Sequence, residues 1–347
     1  MRLTRTSVTR IVDFSGHALG TEAVPRTDWS DGDYVVAEVI DGGVPSWHVE
    51  SPSGRAVSVG CGDLVVGALG VRRATLEAVG DWRDVGDDLE MSTLTRGGVF
   101  GRCTSVSHIV RPQLIPLRYR GHLTLDGRGA VMSDHGLPAV HGPLTLPPVI
   151  LLIGTSMSSG KTTAGVAITR VLSRRGLRVG AVKLTGIGRY ADILAMRDAG
   201  ACAIADFVDA GLPSTVASEP VVTDAARRVL AHVAGQKVDV VVVEAGASPL
   251  EPYRGDLAVR VVWGDTALVV LAASDPYAVA GVAAAFDIRP DLVTGRAAGT
   301  SAGVELVRRV ADVEALDVVD PASQARLGEI LDRALELEAR QRSHERV

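Results

Sequence analysis

The run Gly154-Thr155-Ser-Met-Ser158-Ser159-Gly160-Lys161-Thr162-Thr163 holds the residue types that can grip a chain of phosphates. Gly160 lets the backbone approach phosphate oxygens where a Cβ would intrude. The N–H groups of such a loop, with the N-terminus of a helix behind it, present positive partial charge to an anion. Lys161 adds a point charge for the β and γ phosphates, and the Thr162 hydroxyl is the expected Mg²⁺ ligand. Gly154, Thr155, Ser158, Ser159 and Thr163 complete the loop. The two glycines enclose five residues, one more than the general phosphate-loop pattern.

A phosphate loop works only between a buried strand and a helix, and both are present. Val149–Ile153 is apolar throughout, and Lys161–Arg175 reads as a helix ended by Gly176. Arg178–Val182 reads as a second strand, followed by Lys183-Leu-Thr185-Gly186. Val238–Val243 has five valines in six residues, the composition of a central parallel strand covered on both faces. Glu244 follows it. Ligands of open α/β sheets bind at the carboxyl ends of strands, so Lys183 and Glu244 are candidate site residues. Asp206 and Asp209 lie in a segment too apolar for a plain surface loop; they are candidate carboxylates for metal and substrate, or helix caps. Arg189, Tyr253 and Arg254 fall in loops expected to open over the phosphates, where an arginine could hold a substrate carboxylate by two prongs. Thr185 is grouped with them on the substrate side.

The strand–helix alternation continues to the C-terminus. Helices are expected near Asp192–Ala201, Thr223–Ala234, Pro276–Phe286 and Ser301–Val310, strands at Ala267–Ala272 and Asp291–Thr294, and an amphipathic helix over Pro321–Arg340. This predicts an α/β domain of P-loop NTPase type over 149–347, its mainly parallel sheet carrying helices on both faces. Residues 1–140 read differently. Short alternating runs at Tyr34–Ile40, Ser46–Glu50, Arg55–Val59, Asp63–Ala68, Arg102–Val110 and His122–Leu125 are separated by Gly, Pro and Asp, with turns at Asp41-Gly-Gly and Ser53-Gly. Ala74–Val79 reads as one or two helical turns. A small β-rich domain, a partly closed barrel, is expected. His141–Pro148 has the composition of a rigid linker.

The chain of 347 residues is long enough for two cores, and a net charge of −5 with 4% aromatics argues against nucleic acid as partner. No apolar run nears the roughly 18 residues of a membrane helix, and no secretory signal follows Met1. A cytoplasmic protein is expected. Cys61, Cys103 and Cys202 form no CxxC pair and read as reduced, buried, inert thiols. No histidine pair has metal-ligand spacing. Thr294-Gly-Arg296 follows a late strand, where many P-loop folds contact the base. No Asn/Thr-Lys-x-Asp string is present, which makes adenine the default.

The loop Gly-Thr-x-x-x-x-Gly-Lys-Thr-Thr resembles that of the dethiobiotin synthetase group of P-loop enzymes. Ala181-Val-Lys183-Leu-Thr-Gly186 and Val243-Glu244-Ala-Gly246-Ala are similar to that group's Lys-Pro-Val-x-x-Gly and Glu-Gly-Ala-Gly segments. The resemblance implies ATP at the loop, Lys183 near the reacting groups and Glu244 for Mg²⁺. Residues 149–300 also resemble the P-loop domain of the family labelled domain of unknown function 1611, through Asp206-Phe-Val-Asp209-Ala-Gly211 and Glu244-Ala-Gly-Ala-Ser248-Pro-Leu-Glu-Pro252-Tyr253. One branch of that family is linked to N-acylation of D-amino acids.

These resemblances imply an ATP- and Mg²⁺-dependent ligase acting on a small amino- or carboxylate-bearing metabolite, with a homodimer or higher homo-oligomer as the expected state. Lys161, Lys183 and Glu244 would be its catalytic groups, and Thr162, Glu244 and Asp206 its metal ligands. Three alternatives stand beside it. They are an N-acyltransferase binding acyl-CoA at the same loop, a nucleotide-binding accessory protein, and a small-molecule kinase.

Overall fold

A computed structural model describes residues 3–40, 43, 46–110, 112–246 and 248–344. The chain divides into two compact units: Met1–Pro138 with Ile187–Ala191 and Phe207–Ser218, and Ala139–Gly186 with Asp192–Asp206 and Glu219–Val347. The division is therefore not a single cut in the sequence. Two short segments that follow strands of the second unit are counted with the first.

The first unit is β-rich, and its alternating runs close on themselves. Leu64–Leu69 pairs with Tyr34–Val39, which pairs with Pro116–Leu125, then Glu90–Thr93, then Val99–Val106. The ring shuts by a parallel pairing of Val99 with Ala68 and Phe100 with Leu69. Closure removes the open edges that a small sheet would otherwise expose. Side chains facing one way, Val35, Ala37, Val65, Phe100, Leu117 and Tyr119 among them, form one buried cluster. Inside it the Tyr119 hydroxyl lies 2.6 Å from His122 Nδ1, and His122 Nε2 lies 3.1 Å from Asp33 Oδ2. His122 is thus a satisfied core histidine. No group of three or more potential metal ligands occurs among the described residues.

Two expectations change, and a third falls outside the described residues. Ala74–Val79 is not helical: Ala74–Glu77 form a turn, and Ala78–Asp81 is a strand between Val71–Arg73 and Val99–Val106. The neighbouring strands offer its backbone ladder partners, which outweigh a weak helical preference. The thiols are free, but Cys61, in a turn, and Cys202, just before a strand of the second unit, are exposed, and Cys103, within the strand Val99–Val106, is half-buried. The expected turn at Asp41-Gly42 lies outside the described residues.

The second unit carries strands β1 (Val149–Gly154), β2 (Val179–Thr185), β3 (Ala203–Asp206), β4 (Val240–Ala245), β5 (Thr266–Ala272), β6 (Leu292–Thr294) and β7 (Glu314–Ala315). They form one sheet in the order β3-β2-β4-β1-β5-β6-β7, every neighbouring pair parallel. Helices α1 (Lys161–Arg174), α2 (Tyr190–Asp198), α3 (Glu219–Ala234), α4 (Gly255–Val262), α5 (Pro276–Phe286), α6 (Ser301–Ala311) and α7 (Gln324–His344) connect and cover it. The α/β fold with a parallel sheet of P-loop NTPase type is therefore as the sequence pattern dictates. The unbroken apolar runs of β1 and β4 are buried at every position because helices cover both faces. Strands β3 and β7 and helix α4 carry no strong periodic signal and were not expected. No helix of the described residues is long and apolar enough to cross a membrane.

Candidate nucleotide and phosphoryl-transfer site

Strand β1 ends at Gly154 and α1 starts at Lys161, so the loop between them lies at the carboxyl edge of the sheet beneath a helix N-terminus. Gly160 has φ +111°, a conformation that only glycine adopts without strain. At Gly154 a Cβ would stand 2.5 Å from Ser159 Oγ and 2.7 Å from Lys161 Nζ, so the lysine folds directly over the loop. Lys161 Nζ donates to Ser156 O at 2.7 Å. Thr155 is held by Ser274, whose N–H donates to its hydroxyl at 3.0 Å. Thr163 is exposed at the helix start, and Ser158 is exposed with φ +62°.

The sheet register aligns the other charges. Lys183 on β2 stands opposite Asp206 on β3 and Glu244 on β4. Residues paired side by side in a parallel ladder project to the same face. All three are buried. A row of one lysine between two carboxylates therefore lies at the edge where the phosphate loop turns. Lys183 Nζ also reaches Asp192 Oδ2, in the first turn of α2, at 2.6 Å. Glu244 Oε2 accepts from the Thr162 hydroxyl at 3.0 Å.

Burial pulls the Lys161 ammonium down to a pKa of about 8; Glu244 and Glu251 oppose this, and nearby Lys183 reinforces it. For Lys183 burial also acts downward. Asp192 and Glu244, helped by Asp206, outweigh it and hold the ammonium above its ordinary range. Burial thus eases proton loss from Lys161, whereas its carboxylate neighbours keep Lys183 firmly charged.

The residues present fit Mg²⁺. The ion is usually held by one or two carboxylates with phosphate and water oxygens, and Thr162 Oγ1 and Glu244 Oε2 are already within one ligand edge of each other. Asp206 is separated from this pair by strand β2, and its charge acts on Lys183.

Among the predicted residues, Lys161, Thr162, Lys183, Asp206 and Glu244 come together. Thr185 is buried, and its hydroxyl donates to Gly246 O, tying β2 to the end of β4. Tyr253 is wholly buried rather than in an open loop. Arg254 is exposed and starts α4 with φ +61°. Arg189 is exposed, and it and Asp209 are counted with the first unit. There Asp209 pairs with Arg10 at 3.0 Å, and the Arg10 guanidinium lies 4.3 Å from the Tyr190 ring centre. Asp209 thus anchors that segment.

Two carboxylates near the lysines were not picked out from sequence. Asp192 was legible only as an acidic residue in a first helical turn. Glu251 is buried despite lying between two prolines in an apparent loop.

No family model and no curated protein sequence matches the chain. Solved structures match part of it. The signal recognition particle 54 kDa protein of Aeropyrum pernix, in complex with GDP, is 20% identical with a TM-score of 0.36, over 57% of this chain and 51% of that one. The signal recognition particle receptor FtsY of Elizabethkingia anophelis is 17% identical with a TM-score of 0.39, over 56% of this chain and 67% of that one. A DUF1611 family protein of Anabaena variabilis is 14% identical with a TM-score of 0.40, over 56% of this chain and 62% of that one. The chain thus spans between half and two thirds of these structures, and the likeness is one of fold.

Proposed function

We propose that this chain is a Mg²⁺- and nucleoside-triphosphate-dependent ligase-like enzyme. It would transfer the γ-phosphoryl group to a carboxylate or carbamate of a small metabolite, and an amine would then displace phosphate to form a C–N bond. The observation that carries this reading is the convergence of Lys161, Thr162, Lys183 and Glu244 at one edge of the sheet.

Each group has a role in that chemistry. Lys161 leaves Ser156 O and donates to phosphate oxygens, whose charge restores its full protonation. Thr162 and Glu244 would supply oxygens to Mg²⁺, which would offset charge on the triphosphate. Lys183, kept charged by its carboxylate neighbours, stabilises negative charge on the transferring group or on the acceptor carboxylate. Asp192 holds the Lys183 side chain at the strand end.

Release of nucleoside diphosphate and phosphate tests the proposal, with amines and carboxylates screened singly and in pairs. Turnover that needs an amine together with a carboxylate, or an amine with bicarbonate, supports a ligase. Release of a stable phosphorylated product would make it a kinase. Acyl transfer from acetyl-CoA without nucleotide would overturn the reading.

A further inference from the structure

Glu50 ends the strand Trp47–Glu50 of a two-stranded hairpin in the β-rich unit, and it is buried although it is a carboxylate. Burying a carboxylate is costly unless hydrogen bonds replace its water. Backbone amides do so here. The Tyr190 N–H donates to Glu50 Oε1 at 2.6 Å, and the Ala191 N–H donates to Oε2 at 2.9 Å. Those are the first two residues of α2, and they belong to the same compact unit as Glu50.

The helix has no cap of its own. The first amides of a helix lack partners within it, and the residues before this one, Gly186-Ile-Gly-Arg189, carry no side-chain oxygen that could accept from them. With nine residues α2 is too short to stand by itself, and the side chains that it buries are Ile193 and Met196. Glu50 satisfies two of the open amides and sets a negative charge at the positive end of the helix. Asp192 lies in that same first turn. Its Oδ2 is 2.6 Å from Lys183 Nζ, and a shift of the turn by about 1 Å would take the pair out of hydrogen-bond range.

We propose that Glu50 is a positioning residue for the phosphoryl-transfer site: it fixes the first turn of α2, and through Asp192 it holds the Lys183 ammonium at the end of β2. The use made of Lys183 rests on the ligase reading above, whereas the chain of contacts from Glu50 to Lys183 does not.

Amine labelling of the full chain tests this without a substrate. The lysines are Lys161, Lys183 and Lys237, and Lys237 is exposed. A brief pulse of acetic anhydride at pH 8, followed by peptide mass spectrometry, therefore reads each amine separately. Acylation needs the neutral amine, and Asp192 favours the charged form of Lys183. In the wild type Lys183 should react far more slowly than Lys237. Glu50→Ala should speed the labelling of Lys183 about tenfold, since a lysine that loses a nearby opposite charge gives up its proton more readily. Lys161 and Lys237 should keep their wild-type rates. Glu50→Gln retains one accepting oxygen and should give a smaller rise, which keeps the inference testable if Glu50→Ala folds poorly. Asp192→Asn should match Glu50→Ala, and the double variant should rise no further. An unchanged Lys183 rate in the Glu50 variants would overturn the inference. So would effects that add in the double variant, or a rise at all three lysines, which would mark general loosening of the fold. Absence of turnover in the ligase screen, with Lys183 labelled as expected, would overturn the ligase reading and leave the link from Glu50 to Lys183 standing.

Discussion

The Thr162 hydroxyl donates to Glu244 Oε2 across 3.0 Å, joining the first turn of α1 to the end of β4. A loop and a strand 82 residues apart in sequence thus meet at the two oxygens that a magnesium ion would share. Their pairing is available because β1 and β4 are neighbours in the sheet, with Leu152 in register with Glu244.

Glu244→Gln keeps the shape of this contact and removes its charge. We expect nucleotide to bind with little of its Mg²⁺ dependence and turnover to fall by about 10²-fold or more, the scale on which loss of an electrostatic stabiliser acts. Titration of nucleotide with and without Mg²⁺, beside a phosphate-release assay, checks both halves.

Lys161, with a pKa of about 8, is partly neutral just above that pH. A bound triphosphate favours the charged form and raises the pKa, so binding near pH 8.5 should take up a proton and affinity should weaken as pH rises further. At pH 7 the lysine is mostly charged with or without ligand, so uptake should be small. Calorimetry in two buffers of different ionisation enthalpy measures the proton count directly. Lys161→Ala should abolish nucleotide-dependent stabilisation at both pH values.

Lys183→Ala should leave nucleotide binding in place and remove turnover. It also strands the carboxylates of Asp192 and Asp206, and breaking a buried pair typically costs about 3–5 kcal/mol; Asp192 is partly exposed, which places the loss at or below the lower end. Denaturant unfolding reads that cost separately from activity. Full activity in Lys183→Ala would remove the residue from the mechanism.

Asp31, in the β-rich unit, is pushed up to a pKa of about 7 by burial, against the pull of Arg83. Its folded pKa lies above the unfolded value of 3.8, so the folded state binds the proton more tightly. The cost of folding with Asp31 is absent well below pH 3.8, grows as pH rises through that value, and is complete above pH 7. Asp31→Asn should match the wild type in acid and exceed it at pH 8. The gap should widen by no more than about 1.4 kcal/mol per pH unit. Equal unfolding midpoints from pH 4 to 8 would contradict this.

What the sequence determined by itself is local. The Gly160-Lys161-Thr162 step from loop to helix is set by glycine's access to positive φ and by the helix that follows. The carboxyl-edge positions of Lys183 and Glu244 follow from the apolar runs before them, since such runs form buried parallel strands whose ends face ligands. Tertiary structure decided whatever depends on chain segments meeting. Asp192 pairs with Lys183 only because α2 returns to the end of β2. Tyr253 and Glu251 lie in an apparent loop that folds inward. The β-rich unit closes through the parallel pairing of Val99 and Phe100 with a strand some thirty residues earlier. Periodicity and turn residues encode neighbours along the chain, whereas these contacts depend on which strands become neighbours in space.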